Sequence, residues 1–129
     1  MLSFGKGMYT LSRVKTTPFL VYVTVPDREE ALRIARAVVE SGLAAGCNVL
    51  PGARSVYRWQ GGICEADECM VFAQVSETAL NDFCSEVRRQ HSHRVPCIVA
   101  LPLAGGHEPF FHWINENSLP ASEDAGRHM

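Results

Sequence analysis

His91, His93 and Cys97 fall on one short segment and carry donors suited to a soft metal. Imidazole and thiolate favour copper or zinc over magnesium or calcium. In an extended segment His91 and His93 project to the same side, and Cys97, an even step further along, follows them. Tetrahedral zinc asks for about four ligands, so two histidines and one thiol leave its shell open. Copper(I) accepts fewer soft ligands and is the ion this trio suits best. The same residues admit a plainer account. His91 and His93 can be solvated residues at a helix end, where a positive ring suits the C-terminal dipole. Cys97 is then an ordinary thiol buried in a strand.

Other groups carry weaker chemistry. Cys64 and Cys69 flank Glu65, Asp67 and Glu68, but their spacing matches no zinc motif. An odd step between them puts the two thiols on opposite sides of a strand. The acids then read as a charged hairpin arm that discourages edge-to-edge association. Tyr57, Trp59 and Trp113 could line an intersubunit cleft for a small ligand, with Arg54, Arg58 and Arg94 as an anion-binding rim. Packing at a subunit contact accounts for the same aromatics without any ligand. For catalysis, Cys97 with His91 is the only candidate nucleophile and base. Cys97 opens an apolar strand, not the electropositive, partly exposed setting that a nucleophilic thiol needs. No complete acid, base and oxyanion constellation assembles, so the sequence predicts no enzyme.

The elements that must position these residues follow from pattern. Phe19–Val25 is β-branched and aromatic and is stopped by Pro26, which predicts a central strand. Asp27–Glu30 reads as a capping box, with Asp27 accepting first-turn amides and Glu30 reaching back. Ala31, Ile34, Ala35, Val38 and Val39 recur at helical spacing, and Gly42 stands where a left-handed cap is wanted. Ala44–Trp59 is a second extended stretch, bent or bulged at Pro51-Gly52. Gln60-Gly61-Gly62 turns it into Ile63–Val75 as a long hairpin. Ser76 reads as the N-cap of a second helix, with Leu80, Phe83, Cys84 and Val87 as its apolar stripe and its end near His91. Val95–Leu103 predicts a further strand, and His107–Asn117 a short last helix. The order β-α-β-β-α-β plus a terminal helix is an α+β, ferredoxin-like sandwich with both main helices on one face of an antiparallel sheet. The other face stays bare, and a short chain with Tyr57, Trp59, Phe110, Phe111 and Trp113 to bury covers it by oligomerising.

Composition bounds the rest. The chain has 129 residues, one domain's worth. With 47% hydrophobic and 20% charged residues it can build a single core, which excludes bulk disorder. Lys and Arg number 12 against 14 Asp and Glu, so the basic face of a general nucleic-acid binder is missing. The longest apolar run, Cys97–Leu103, is far short of the ~20 residues of a membrane span. Five cysteines without a CxxC pair point to free thiols in a reducing compartment, the cytoplasm. Residues 1–17 carry Lys6, Arg13 and Lys15 and no acid. Such a segment faintly resembles an organelle transit peptide, but it is read here as a flexible N-terminal extension. Residues 18–117 form the folded domain, and 118–129 are read as a flexible tail.

Several pieces in order carry a family resemblance: Val21–Asp27, Ile34–Ala45, Asn48–Gly52, Ser55–Gly61, Val95-Pro96, Ile98–Pro102 and Phe111–Ile114. Over Pro18–Asn117 the chain resembles the CutA divalent-cation tolerance family. The resemblance implies a homotrimer of ferredoxin-like subunits, architecturally similar to the PII signalling proteins. It also implies a role in metal-ion tolerance, with copper or other divalent cations as ligands and no enzymatic reaction. Three departures matter. The family's Leu-Ala-Ala-Cys step appears as Leu43-Ala-Ala-Gly46 with the thiol moved to Cys47, which turns it to the opposite face of a strand. The family's His-Pro-Tyr appears as His91-Ser92-His93, and Cys97 replaces its later glutamate. The family's metal site would use a first-strand cysteine, that histidine and that glutamate. Here these positions hold Val23, His91 and Cys97, so only His91 is retained. The alternative left open is a PII-like trimer that binds a small molecule around Tyr57 and Trp59 and signals to a partner protein.

Overall fold

In the folded chain Val21, Val23 and Val25 point to one face of their strand and are fully buried, while Leu20, Tyr22 and Thr24 turn to the other and are partly exposed. That alternation makes the strand a wall between a packed side and an open one. The computed structural model describes residues 3–4, 9–11 and 16–121. The strands are β1 (Ser3–Phe4), β2 (Tyr9–Leu11), β3 (Phe19–Val25), β4 (Gly46–Trp59), β5 (Gly62–Val75), β6 (Ile98–Pro102) and β7 (Gly105–Gly106). The helices are α1 (Arg28–Glu40), α2 (Leu80–Gln90) and α3 (Glu108–Asn117).

The main sheet has the antiparallel order β4-β5-β3-β6, with β3 and β5 central. This is the α+β, ferredoxin-like order expected from the pattern. Ile34 and Val38 of α1 and Phe83 and Val87 of α2 bury themselves on the valines of β3 and on Val71, Ala73 and Val75 of β5. The opposite face carries Leu50, Val99 and Leu101 in the open, Leu101 with 47% of its surface exposed. A smaller sheet joins β1, β2 and β7.

Apart from the Ser76 cap, local signals are realised with two changes. Asp27 caps α1 by accepting the Glu30 N–H at 2.8 Å, and Gly42 adopts φ +78° in a Schellman turn. The bulge falls between Leu50 and Ala53, and Gln60-Gly61 turn the hairpin with positive φ. Ser76 Oγ accepts the Ala79 N–H at 3.2 Å, so it caps the turn leading into α2 rather than the helix itself. The first change is Glu30, whose carboxylate does not reach back to Asp27 but accepts the Ser92 N–H at 2.8 Å. The second is the strand expected over Val95–Leu103, which begins only at Ile98. Pro96 lacks a donor and restricts Val95 before it, so residues 92–97 form a loop.

Ser118 is fully buried, donating to the Leu43 carbonyl at 2.6 Å and accepting the Ser76 N–H at 2.8 Å. The remainder of the tail from residue 122, and most of the extension over residues 1–17, lie outside the described residues.

Candidate metal centre and cleft

The loop carrying the candidate donors is held by a buried polar cluster. At the end of α2, the His91 ring enters the interior with its side chain fully buried. Its Nε2 lies 2.8 Å from the Thr24 carbonyl oxygen, and its Nδ1 lies 3.0 Å from the His93 backbone N. A carbonyl only accepts and an amide N–H only donates, so the ring is the neutral tautomer protonated at Nε2. Both nitrogens are therefore engaged, and His91 has no free lone pair for a metal in this conformation. Glu30 Oε2 stands 3.8 Å from Nδ1 and accepts the Ser92 N–H, closing the cluster. Glu30 was not singled out in the sequence as a partner of this loop. Its acidic character within an otherwise apolar helix stripe was the available signal.

Beyond this cluster the loop turns outward. His93, Arg94 and Cys97 line a cleft of about 680 Å³ on the open side of the sheet, facing Tyr57 and Trp59 of the hairpin arm. Thr24 and Glu68 complete its floor. Cys97 reaches this side because its carbonyl accepts from the Thr24 N–H, at 3.4 Å. In antiparallel pairing, directly opposite residues share a face, and Thr24 points away from the helices. Tyr22 lies on the same face. Its phenol is raised above its ordinary value, first by a hydrogen-bonding contact with the Cys97 thiol, then by that thiol's charge and by burial. His93 packs its ring 5.1 Å from that of His91, tilted by 49°. Among the described residues no three His, Cys, Asp or Glu side chains converge closely enough to hold a metal ion by themselves.

The other candidates separate. Cys69 is buried in the core and Cys64 is half-buried on the far face of β5, as their odd spacing predicts. Arg54 pairs with Glu65 at 3.4 Å and with Asp67 at 3.0 Å on the exposed arm. Within one chain Trp113 stands away from Tyr57 and Trp59. It stacks on Phe110, with ring centroids 5.3 Å apart, and covers Gly46 at the other end of β4. By strand rise, Gly46 and Trp59 are separated by roughly 40 Å. Gly46 has no Cβ to spare: one would meet Gln74 Oε1 at 2.9 Å and the Trp113 ring at 3.4 Å. The neighbouring thiol, Cys47, turns to the helix side, and burial pushes it up to about 12.

The α+β fold is shared by known proteins. A family profile described as "CutA1 divalent ion tolerance protein" matches residues 19–117. The chain belongs to the CutA1 family. A "Divalent-cation tolerance protein CutA" of Thermus thermophilus is 40% identical over 99 residues, covering 77% of this chain and 96% of that protein. The solved structure of the Thermus thermophilus protein superposes with a TM-score of 0.77, covering 78% of this chain and 98% of that one. A "Protein CutA, chloroplastic" of Arabidopsis thaliana is 34% identical over 117 residues, covering 90% of this chain and 64% of that longer protein. Val23 stands in β3 of the main sheet. Its side chain lies in the core, on the opposite face of the sheet from Cys97. Among the described residues no helix is long and apolar enough to cross a membrane.

Proposed function

We propose that this CutA1 chain serves divalent-cation tolerance as a cytoplasmic homotrimer that binds copper and catalyses no reaction. Cys97 and His93 are the donors, and His91 is the residue that sets their loop. The observation that carries this reading is the placement of one imidazole and one thiol on the wall of a single cleft. These are the donors copper(I) prefers, and it tolerates low coordination numbers. The bare sheet face with Leu50, Val99 and Leu101 supports assembly, since patches of this kind mark interaction surfaces. Five free cysteines support a reducing compartment.

Anaerobic competition of the protein for copper(I) against a chromogenic chelator tests the reading. Stoichiometric binding per chain that is lost in His93→Ala plus Cys97→Ala supports it, provided light scattering still finds the trimer. Failure to compete removes it.

A second reading is favoured by the size of the cleft and its aromatic wall. About 680 Å³ edged by Tyr57 and Trp59 suits an organic molecule, as in a PII-like signalling trimer. A metabolite that binds the native state raises the melting temperature by mass action. A flat response across a broad metabolite panel counts against this second reading.

A further inference from the structure

Two strands, β1 and β2, lie ahead of residues 19–117, the part of the chain that matches the family profile. β2 runs antiparallel to β7, with Thr10 opposite Gly106 and Leu11 opposite Gly105, and β1 pairs with the other edge of β2. β7 lies within the matched residues, while the strand that covers its edge lies outside them. Successive pairs in an antiparallel ladder alternate between hydrogen-bonded and non-hydrogen-bonded, so one of the two glycines exchanges both backbone bonds with β2. Further contacts hold the chain where it leaves the segment. Asn115 of α3 donates from Nδ2 to the Thr16 carbonyl at 2.9 Å, and the Leu103 N–H donates to the Pro18 carbonyl at 3.0 Å. Glycine suits this edge. A Cβ on Gly106 would stand 3.2 Å from the buried Phe111 ring, so β7 lies against α3 as bare backbone. Charge favours the same occupant: residues 1–17 carry Lys6, Arg13 and Lys15 and no acid, and α3 presents Glu108 and Glu116 in the open.

We propose that the edge of β7 is a strand-addition site for an extended, basic peptide segment, and that this chain closes it with its own residues 9–11. Backbone hydrogen bonds make the attachment, as they do wherever a peptide joins a sheet edge. A short tether gives the attached strand an effective concentration of about 1 mM, which favours a contact too weak to persist between separate molecules. Without the segment the edge is unpaired, and an unpaired edge is a template for another strand. The occupant that fits it is the same segment supplied as a free peptide. This site is independent of the copper reading and of the trimer.

The full chain carrying Thr10→Pro plus Leu11→Pro tests this, because both changes remove strand N–H donors outside residues 19–117. Nuclear magnetic resonance of protein with isotope-labelled glycine reads the Gly105 and Gly106 amides directly. Exchange of the bonded glycine amide should rise about 10-fold in the double variant, as its pairing is lost. A synthetic peptide of residues 1–15, added at about 1 mM to match the tethered concentration, should shift these amides in the variant and restore their protection. The same peptide should leave the wild-type amides unmoved, since the chain's own strand holds the edge. Circular dichroism and light scattering confirm that the variant folds and assembles as the wild type does. Equal exchange in the two full chains overturns the pairing within the chain. A peptide that leaves the variant's glycines unmoved overturns the strand-addition site. A peptide carrying the same two prolines separates pairing from charge. If it shifts the amides as strongly as the natural peptide, the contact is electrostatic alone and the proposal falls.

Discussion

The Nε2 of His91 donates to the Thr24 carbonyl across 2.8 Å, joining the end of α2 to the central strand β3. The same ring accepts the His93 N–H on its other nitrogen, so one buried side chain decides which way the following loop leaves the helix. His93, two residues on, is exposed at the cleft.

These two histidines should therefore behave in opposite ways. His91→Ala removes two hydrogen bonds, strands the His93 N–H and leaves a cavity, which costs about 2–4 kcal/mol. His93→Ala changes an exposed side chain and stays within about 0.5 kcal/mol. Urea unfolding at one fixed chain concentration checks both, since the stability of an oligomer depends on concentration. In the copper competition the order should reverse for variants that still assemble. His93→Ala then weakens binding directly, while His91→Ala acts only through the loop.

Gly42 at φ +78° ends α1, with the Leu43 N–H bonded to the Val38 carbonyl at 2.9 Å and its own N–H bonded to Val39 at 3.0 Å. Nothing lies within 4 Å of where a Cβ would stand, so the cost of a side chain here is conformational alone. Gly42→Ala should destabilise by about 1 kcal/mol, and Gly42→Asn by less, because Asn tolerates the left-handed region. Equal losses in the two variants would contradict this account.

Burial raises the Cys47 thiol from 9.0 to about 12. The folded state thus holds its proton more tightly than the unfolded chain. The contribution to stability is fully present below pH 9, and is lost as pH rises from there towards 12. Stability should fall over that window, and Cys47→Val should flatten the slope. At pH 8 a thiol reagent should leave Cys47 unmodified in the native protein, which peptide mapping after alkylation reads directly.

Glu86 is held below the ordinary carboxylate range, chiefly by its hydrogen bond from Arg89 and then by that from Gln90. A depressed carboxyl contributes stability above its unfolded value near 4.5, and this is lost as pH falls through the lower folded value. Glu86→Gln should reduce the acid sensitivity of unfolding below pH 5 while changing little at pH 7, where exposed pairs on helices are weak.

Leu101 stands 47% exposed on the bare face of the sheet. A charge there costs the single chain little, but it costs an assembled interface the burial of an unpaired carboxylate. If the proposed trimer uses this face, Leu101→Glu should shift light scattering to monomer while the circular dichroism of the fold persists. A trimer undisturbed by this change would place the contact elsewhere.

Much of this molecule is a direct consequence of its sequence, because the signals involved are local. The alternating valines of β3, the Asp27 cap, the positive φ at Gly42, the Pro51-Gly52 bulge and the Gln60-Gly61 turn each depend on a few neighbouring residues. Their order along the chain leaves a ferredoxin-like sheet as the arrangement that buries both helices on one face. Strand parity also separates Cys64 from Cys69 and Cys47 from Gly46, since a one-residue step reverses the face.

The candidate site was decided by contacts between residues far apart in the chain. No spacing rule could place Glu30 on the Ser92 N–H, or the His91 ring on Thr24, and those two contacts anchor the start of the loop that carries His93 and Cys97. Pro96 delays β6 and leaves 92–97 a loop, so His93 and Cys97 line the cleft from that loop rather than from one regular strand. Trp113 shares an aromatic character with Tyr57 and Trp59, yet the length of the β4–β5 hairpin sets them at opposite ends of the sheet. Local propensity acts through neighbours in sequence, whereas a binding site is made by the packing that brings distant residues together.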